Sequence, residues 1–364
     1  MSTAAAPAPA TPRLAALDAA RALGVVAMVA GHTLDALLSP AARLEPAVQA
    51  YWTARGFTLP LFLTVSGWAV AMALGRSRAA GLAVPRARLP RVLLLLAIGY
   101  ALRWPGWDAA GLRALAPSPW AHLLAFDALH LIALCLLAAS LVFALPLRSR
   151  ERALLFLALA VLAASLGLTP PRPLVPPPEA LPRGAAMALA QAVGGTSPFP
   201  LVPWAAHFFL GAIVGLAALE DPRRTLGALA AGGAALVLAT SWTGVGTMPV
   251  GHPLLLACRT GVVALVLAAL FAVPAAVARA VAPLGKASLA VYAVHVPIVY
   301  GWSTTPGLAW RVGPALGPPA ALAVAAAVLA ASFALTLGWG AARRAARAAV
   351  ARARAGGAGD PGAA

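Results

Sequence analysis

Four ionisable side chains lie close together early in the chain: Asp18, Arg21, His32 and Asp35. On an α-helix, which turns roughly 100° per residue, steps of 3, 11 and 14 return to within about 60° of one another, so all four share one stripe. Arg21 and His32 then stand roughly 16 Å apart along the axis. One helix face thus offers a cation at one end and an imidazole at the other. Asp35 follows His32 at i+3, within reach to orient the ring. A neutral imidazole backed by a carboxylate is a general base for a hydroxyl or an amine.

A second set of polar residues recurs further on. In KASLAVYAVHVPIVYG, Ser288, Tyr292 and His295 stand at i, i+4 and i+7, again on one face. Pro297 lacks an N–H and so frees a backbone carbonyl near His295. FDALH places Asp127 and His130 at i and i+3, LVPWAAHFF supplies His207, and LFLTVSGWAV supplies Ser66 and Gly67. Arg259 falls inside an apolar stretch. All six histidines, His32, His122, His130, His207, His252 and His295, map to the outer half or the midplane of the expected bundle. No His, Cys or carboxylate spacing fits a metal site, so none is expected. Cys135 and Cys258 sit in apolar stretches without a C-x-x-C pattern and read as packing residues.

These residues must be held by membrane helices. The chain has 364 residues, 62% apolar and 10% charged, with a mean hydropathy of +0.87. That composition excludes a soluble globular domain and a disordered chain. Apolar runs near 17–38, 57–75, 91–104, 126–147, 152–168, 201–219, 225–243, 253–273, 287–303 and 319–342 predict an all-α polytopic protein of about ten transmembrane helices. The net charge of +17 raises the question of nucleic acid. Its distribution answers it. With a cytoplasmic N-terminus, basic residues divide roughly 18 inside to 7 outside, alternating loop by loop, as the positive-inside rule expects. Both termini are therefore expected in the cytoplasm, with lipid as a partner and no nucleic acid. Asp18, Arg21 and His32 interrupt the first stretch, so it reads as a span rather than a cleaved signal. Three regions follow: a disordered tail 1–13, a transmembrane domain 14–342, and a basic, flexible cytoplasmic tail 343–364. The Pro-rich segment 169–203 excludes a regular helix and is either a lid or a passive connector.

The ordered motifs resemble the integral-membrane acyltransferases, the superfamily of the acyltransferase-3 and heparan-α-glucosaminide N-acetyltransferase-like proteins. RLAALD over Arg13–Asp18, then Arg21 and His32, is similar to the opening signature, with Ala22 where glycine is usual. PLFLTVSGWAV resembles the Phe-x-x-x-Ser-Gly motif through Phe62, Ser66 and Gly67. ALHLIALCLL and PLVPWAAHFFLGAIVG look more like the N-acetyltransferase branch. LGKASLAVYAVHVPI resembles the closing motif of both, through Gly285, Ser288, Tyr292, His295 and Pro297. The stretch EPAVQAYW has no histidine where the heparan-acting enzyme carries one, so heparan specificity is not implied. The resemblance implies acyl-CoA, as acetyl-CoA, for a co-substrate and a carbohydrate acceptor across a bacterial cytoplasmic membrane. His32, Asp35, His295 and Tyr292 would then form the catalytic group. Arg21, Asp18, Arg86, Arg88 and Ser66 would face the donor, with Arg91 a further cation there. His130, His207 and Arg259 would stand on the acceptor side, with Arg259 or Tyr292 steadying an oxyanion. Homo-oligomerisation is compatible with this reading.

Two other readings compete. Ionisable residues at bilayer depth also mark translocation paths, which makes a multi-pass transporter or flippase of a sugar- or lipid-linked substrate the main alternative. The chain lacks the internal symmetry common in such folds. A silent scaffold, with histidines merely bonding helices together, is the third.

Overall fold

Each of the ten apolar stretches coincides with a helix in the computed structural model, which describes residues 15–81, 88–104, 123–168, 192, 197, 199–249 and 251–357. The helices are α1 (Ala15–Leu37), α2 (Pro46–Arg55), α3 (Thr58–Ala79), α4 (Leu89–Leu102), α5 (Ala128–Ala144), α6 (Ser149–Leu168) and α7 (Leu201–Glu220). They continue with α8 (Pro222–Ser241), α9 (Pro253–Ala272), α10 (Ala275–Lys286), α11 (Ser288–Tyr300), α12 (Leu308–Arg311) and α13 (Pro318–Gly357). Among the described residues, the all-α expectation is broken only by a two-stranded antiparallel hairpin, Gly301–Trp302 with Thr305–Pro306. The tail 1–13, Arg86, His122 and nearly all of the Pro-rich segment 169–203 lie outside the described residues.

Local chemistry sets the helix starts. Asp127 caps α5 by accepting from the Leu129 N–H at 2.9 Å. Asp221 caps α8 through the Arg224 N–H at 3.0 Å, ahead of Pro222 at the first helical position. His252 does the same for α9, its Nδ1 accepting from the Leu254 N–H at 3.3 Å, again before a proline. Among the described residues, α1, α3, α7, α8, α9 and α13 are each long and apolar enough to cross a membrane alone. The pair α10–α11, bent by 55° at Ala287, makes a seventh candidate, while α4 and α5 are shorter at 14 and 17 residues. Large apolar side chains face outward on α6, α8 and α13, for example Leu154, Leu238 and Leu322. That is the surface of a polytopic membrane protein, whose outer solvent is lipid.

With no water to expel between helices in lipid, association rests on close packing, and small residues permit it. Gly67 of α3 packs directly against the Phe208 carbonyl of α7, and Gly211 of α7 against the Thr64 backbone. Gly215 meets the Trp68 backbone one turn further on. At Gly285, α10 lies against the Asp18 carbonyl of α1 with no room for a Cβ. The core between α3, α5, α6 and α7 is completed by Leu63, Phe143, Phe156 and Phe208. Loops tie the ends. Ser39 N–H donates to Leu316 O at 2.9 Å and Leu316 N–H to Leu37 O at 2.9 Å, joining α1 to the approach of α13.

Replacing Gly67 or Gly285 by valine should therefore lower the stability of the purified protein by about 1–3 kcal/mol each, the usual cost of overpacking. Gly227→Ala in α8, where an added Cβ meets nothing within 4 Å, should leave the thermal midpoint level or slightly higher. Melting in detergent, followed by intrinsic fluorescence, checks all three.

Candidate active site

A cavity of about 490 Å³ runs between α1, α3, α4, α5 and the α10–α11 bend. Its two ends differ in chemistry. Arg21, Arg88, Arg91 and Lys286 gather at one end, and His32, Thr58, Phe199 and Trp204 line the other. The wall between them is apolar, with Met28, Phe62, Val70, Leu95, Ile132 and Leu289. Ser66 and Tyr292 are the polar side chains set into it, with Ser288 by the bend. Arg21 and His32 lie on one face of α1, as the stripe predicts, and both open into the same space.

At the cationic end, Arg21 Nη1 donates to Asp18 Oδ1 at 2.9 Å. Asp18 is almost wholly buried under Gly285, so its carboxylate holds the guanidinium at the cavity while itself lining nothing. Arg88 is the N-cap residue of α4, Arg91 lies in its first turn, and Lys286 comes from the last turn of α10. The bend at Ala287 is what brings Lys286, Ser288 and Tyr292 to one wall.

At the other end, His32 Nδ1 lies 2.9 Å from the Tyr300 hydroxyl, which also donates to the His32 carbonyl at 3.4 Å. The His32 ring is 5.3 Å from that of His295, and His295 is 5.6 Å from Tyr292 in an edge-on arrangement. His295 is fully buried, and its Nδ1–H donates to the Val291 carbonyl at 2.9 Å. Its Nε2 has no hydrogen-bond partner among the described residues. The i+3 spacing of Asp35 does not bring its carboxylate onto His32. It turns toward Arg43, at 3.9 Å from Nη1, while the same guanidinium donates to the Asp35 and Leu38 carbonyls. Arg43 thus staples the chain where it leaves α1.

The other histidines have different surroundings. His130 Nδ1 sits 3.0 Å from Asp127 Oδ1 and 3.2 Å from the Asp127 N–H, closing a capping box at the start of α5. Its ring packs against Gly99 and under Tyr100, beside the cavity wall rather than in it. Burial alone would push the Asp127 carboxyl up, but His130, Arg103 at 3.6 Å and the Leu129 N–H outweigh it and hold it below the usual carboxylate range. His207 is fully buried on α7, with Nδ1 3.4 Å from Thr260 Oγ1. Arg259 of α9 stacks over Trp204 at 5.2 Å, with no ion pair or hydrogen bond among the described residues. A cation–π contact offsets about 0.5–2 kcal/mol, less than the roughly 2.5–3.5 kcal/mol that even the mildest estimate assigns to an arginine at bilayer depth. No group of three or more His, Cys, Asp or Glu able to hold a metal occurs among the described residues.

Two residues of the site, Lys286 in the cavity lining and Tyr300 against His32, were not legible as such. Lys286 counted only as a loop charge, and Tyr300, 268 residues from His32, carries no local spacing that points to it. The closing Tyr of HVPIVYG, one helical turn and a little beyond His295, was the available signal.

This chain belongs to the acyltransferase-3 family: the family model described as an acyltransferase domain matches residues 14–337. The protein is accordingly a membrane acyltransferase. No curated protein matches the chain. The match takes in every element that lines the cavity.

The Asp18–Arg21 pair gives a check on this geometry. Asp18→Asn removes the charge from the carboxylate that Arg21 pairs with and should lower stability by about 1–3 kcal/mol. Thermal melting of the variant against wild type measures it, and an unchanged midpoint would show that Asp18 does not hold Arg21.

Proposed function

We propose that the protein takes an acyl group, acetyl in the simplest case, from acyl-CoA at the Arg21 end of the cavity and hands it to a carbohydrate hydroxyl or amine at the His32 end. The observation that carries this reading is the single cavity with four cations at one end and an imidazole at the other. Arg21, Arg88, Arg91 and Lys286 supply the charge and the hydrogen bonds that phosphate groups require. Between its phosphate and its sulfur the pantetheine arm has the main-chain length of about four amino-acid residues, so roughly 14 Å when extended. That reach spans the apolar wall and delivers the thioester toward His32. In this reading the cationic end and both termini face the cytoplasm and His32 lies toward the outer face of a bacterial inner membrane, an orientation that the positive-inside charge distribution supports.

The hydrogen-bond pattern supports one arrangement of the protons. With the Tyr300 O–H directed to the His32 carbonyl, the phenol oxygen receives Nδ1–H, and the lone pair resides on Nε2. His32 Nε2 takes the proton from the acceptor O–H or N–H as that atom attacks the thioester carbon. The Tyr292 O–H, set in the cavity wall, donates to the oxyanion that forms. The C–S bond then breaks, and the proton passes from His32 to the departing sulfur, which leaves as CoA thiol. His295 packs behind the imidazole and keeps its plane. Asp35 serves this end indirectly, through the Arg43 staple.

His32→Ala should lower transfer by about 100- to 10,000-fold in a protein that still inserts and melts normally, the range that a positioned general base contributes. Full activity in that variant would remove the mechanism. Arg88→Gln with Arg91→Gln should raise KM for acyl-CoA at least about tenfold with a smaller change in kcat. Tyr300→Phe should do the reverse, lowering kcat about tenfold at unchanged KM. Steady-state release of CoA thiol measures each. Sugar flux through proteoliposomes without acyl-CoA would instead favour the transporter reading.

A further inference from the structure

We propose that Arg259, Trp204 and His207 form an acceptor subsite for an acidic carbohydrate, one that carries a carboxylate or phosphate beside its hydroxyls. This rests on the acyltransferase reading and names the acceptor class that the reading leaves open.

Three groups in one cluster keep polar atoms without a hydrogen-bond partner among the described residues. Arg259 lies in a helix long and apolar enough to span, roughly 9 Å inside its start. Among the described residues it meets only the face of Trp204, which leaves its N–H donors uncommitted. Trp204 is buried, and its Nε1–H has no acceptor among the described residues. His207, at i+3 from Trp204 on α7, is fully buried, and its Nε2 is likewise without a partner there. The tautomer follows from Thr260. Its O–H donates to the Leu256 carbonyl at 2.9 Å, so its oxygen accepts Nδ1–H of His207 at 3.4 Å. Nε2 therefore carries a lone pair. The cluster presents a guanidinium, a neutral N–H donor and one acceptor.

Such a set matches an anion with a neighbouring hydroxyl. The guanidinium takes the carboxylate or phosphate oxygens, the indole N–H a further oxygen, and His207 Nε2 the proton of a sugar hydroxyl. Buried polar groups of this kind are costly unless something satisfies them, and an unpaired arginine at bilayer depth marks a binding path. The place is right as well. Trp204 lines the cavity at the His32 end, as do Phe199 and Thr58, while Arg259 and His207 stand against its ring outside the cavity lining, so a ligand reaching them enters past the indole from the side of the proposed base. A neutral sugar would leave the guanidinium unpaired, so the subsite discriminates by charge.

The test compares glucuronate with glucose as acceptors, using the full chain in non-ionic detergent, as wild type, Arg259→Gln and Arg259→Lys. Wild type should show at least a tenfold lower KM for glucuronate. Arg259→Gln should erase that ratio, and Arg259→Lys should keep part of it. Glucuronate without acyl-CoA should also raise the melting midpoint of wild type above the glucose control, and not that of Arg259→Gln. Equal losses for both sugars in Arg259→Gln, or no glucuronate-dependent shift in wild type, overturns the subsite. A phospholipid phosphate is the other source of the same chemistry. In nanodiscs containing phosphatidylglycerol, one lipid retained by wild type and lost from Arg259→Gln, with no glucuronate preference, assigns the cluster to a headgroup and overturns the proposal. A glucuronate shift that depends on Arg259, with neither sugar acylated, keeps the subsite and removes the acyltransferase reading instead.

Discussion

Close backbone approach at a few glycines is the constraint from which the rest of this structure follows. In lipid there is no hydrophobic gain in burying leucine against leucine, so helices stay together where their backbones can touch. Gly67, Gly211 and Gly215 fasten α3 to α7, and Gly285 fastens α10 to α1. Both fastened pairs contribute residues to the cavity lining. Where they touch, nothing but backbone fits. Where they diverge, the space is left that His32, Ser66 and Tyr292 line. The Ser-Gly step of α3 illustrates the division of labour: Gly67 faces the neighbouring helix while Ser66, one residue earlier, faces the cavity.

The polar groups divide by whether the protein satisfies them. Asp18 with Arg21 and Asp127 with His130 are closed arrangements in which each charge or ring has a partner a single turn away. They serve to hold something: a guanidinium at the cavity mouth, a helix at its start. His295 and His207 have no such carboxylate and Arg259 has only the Trp204 ring, and each keeps an atom or a charge that no described residue answers. In a medium without water those open valences are expensive.

Much of this was legible beforehand, for a physical reason. Apolar runs mark helices, so each of the ten runs in the sequence falls on a helix, although only six of those helices, or seven with the bent α10–α11 pair, are long and apolar enough to cross a membrane. The α1 stripe was legible too, because Arg21 and His32 share a helix and periodicity alone puts them on one face. What escaped depends on contacts between distant segments. Tyr300 meets His32 only because α11 packs on α1, and Lys286 joins the cavity only because the chain bends at Ala287. The helices α2 and α10 were missed because one is weakly apolar and the other was absorbed into a loop between spans. Asp35 shows the opposite error, in which correct spacing on one helix was overruled by Arg43 folding back from beyond its end.

The last helix carries a consequence of its own. At 1.5 Å per residue the 40 residues of α13 make a rod roughly 60 Å long, about twice the hydrocarbon thickness of a bilayer. Tilt absorbs only a few ångströms of that excess. The half bearing Arg343, Arg344, Arg347 and Arg352 is therefore an overhang, continuous with the half that packs on α1 and α11. A rod so mounted is a lever. A sideways load on its charged arm is delivered as torque to the two helices that carry His32 and Tyr300.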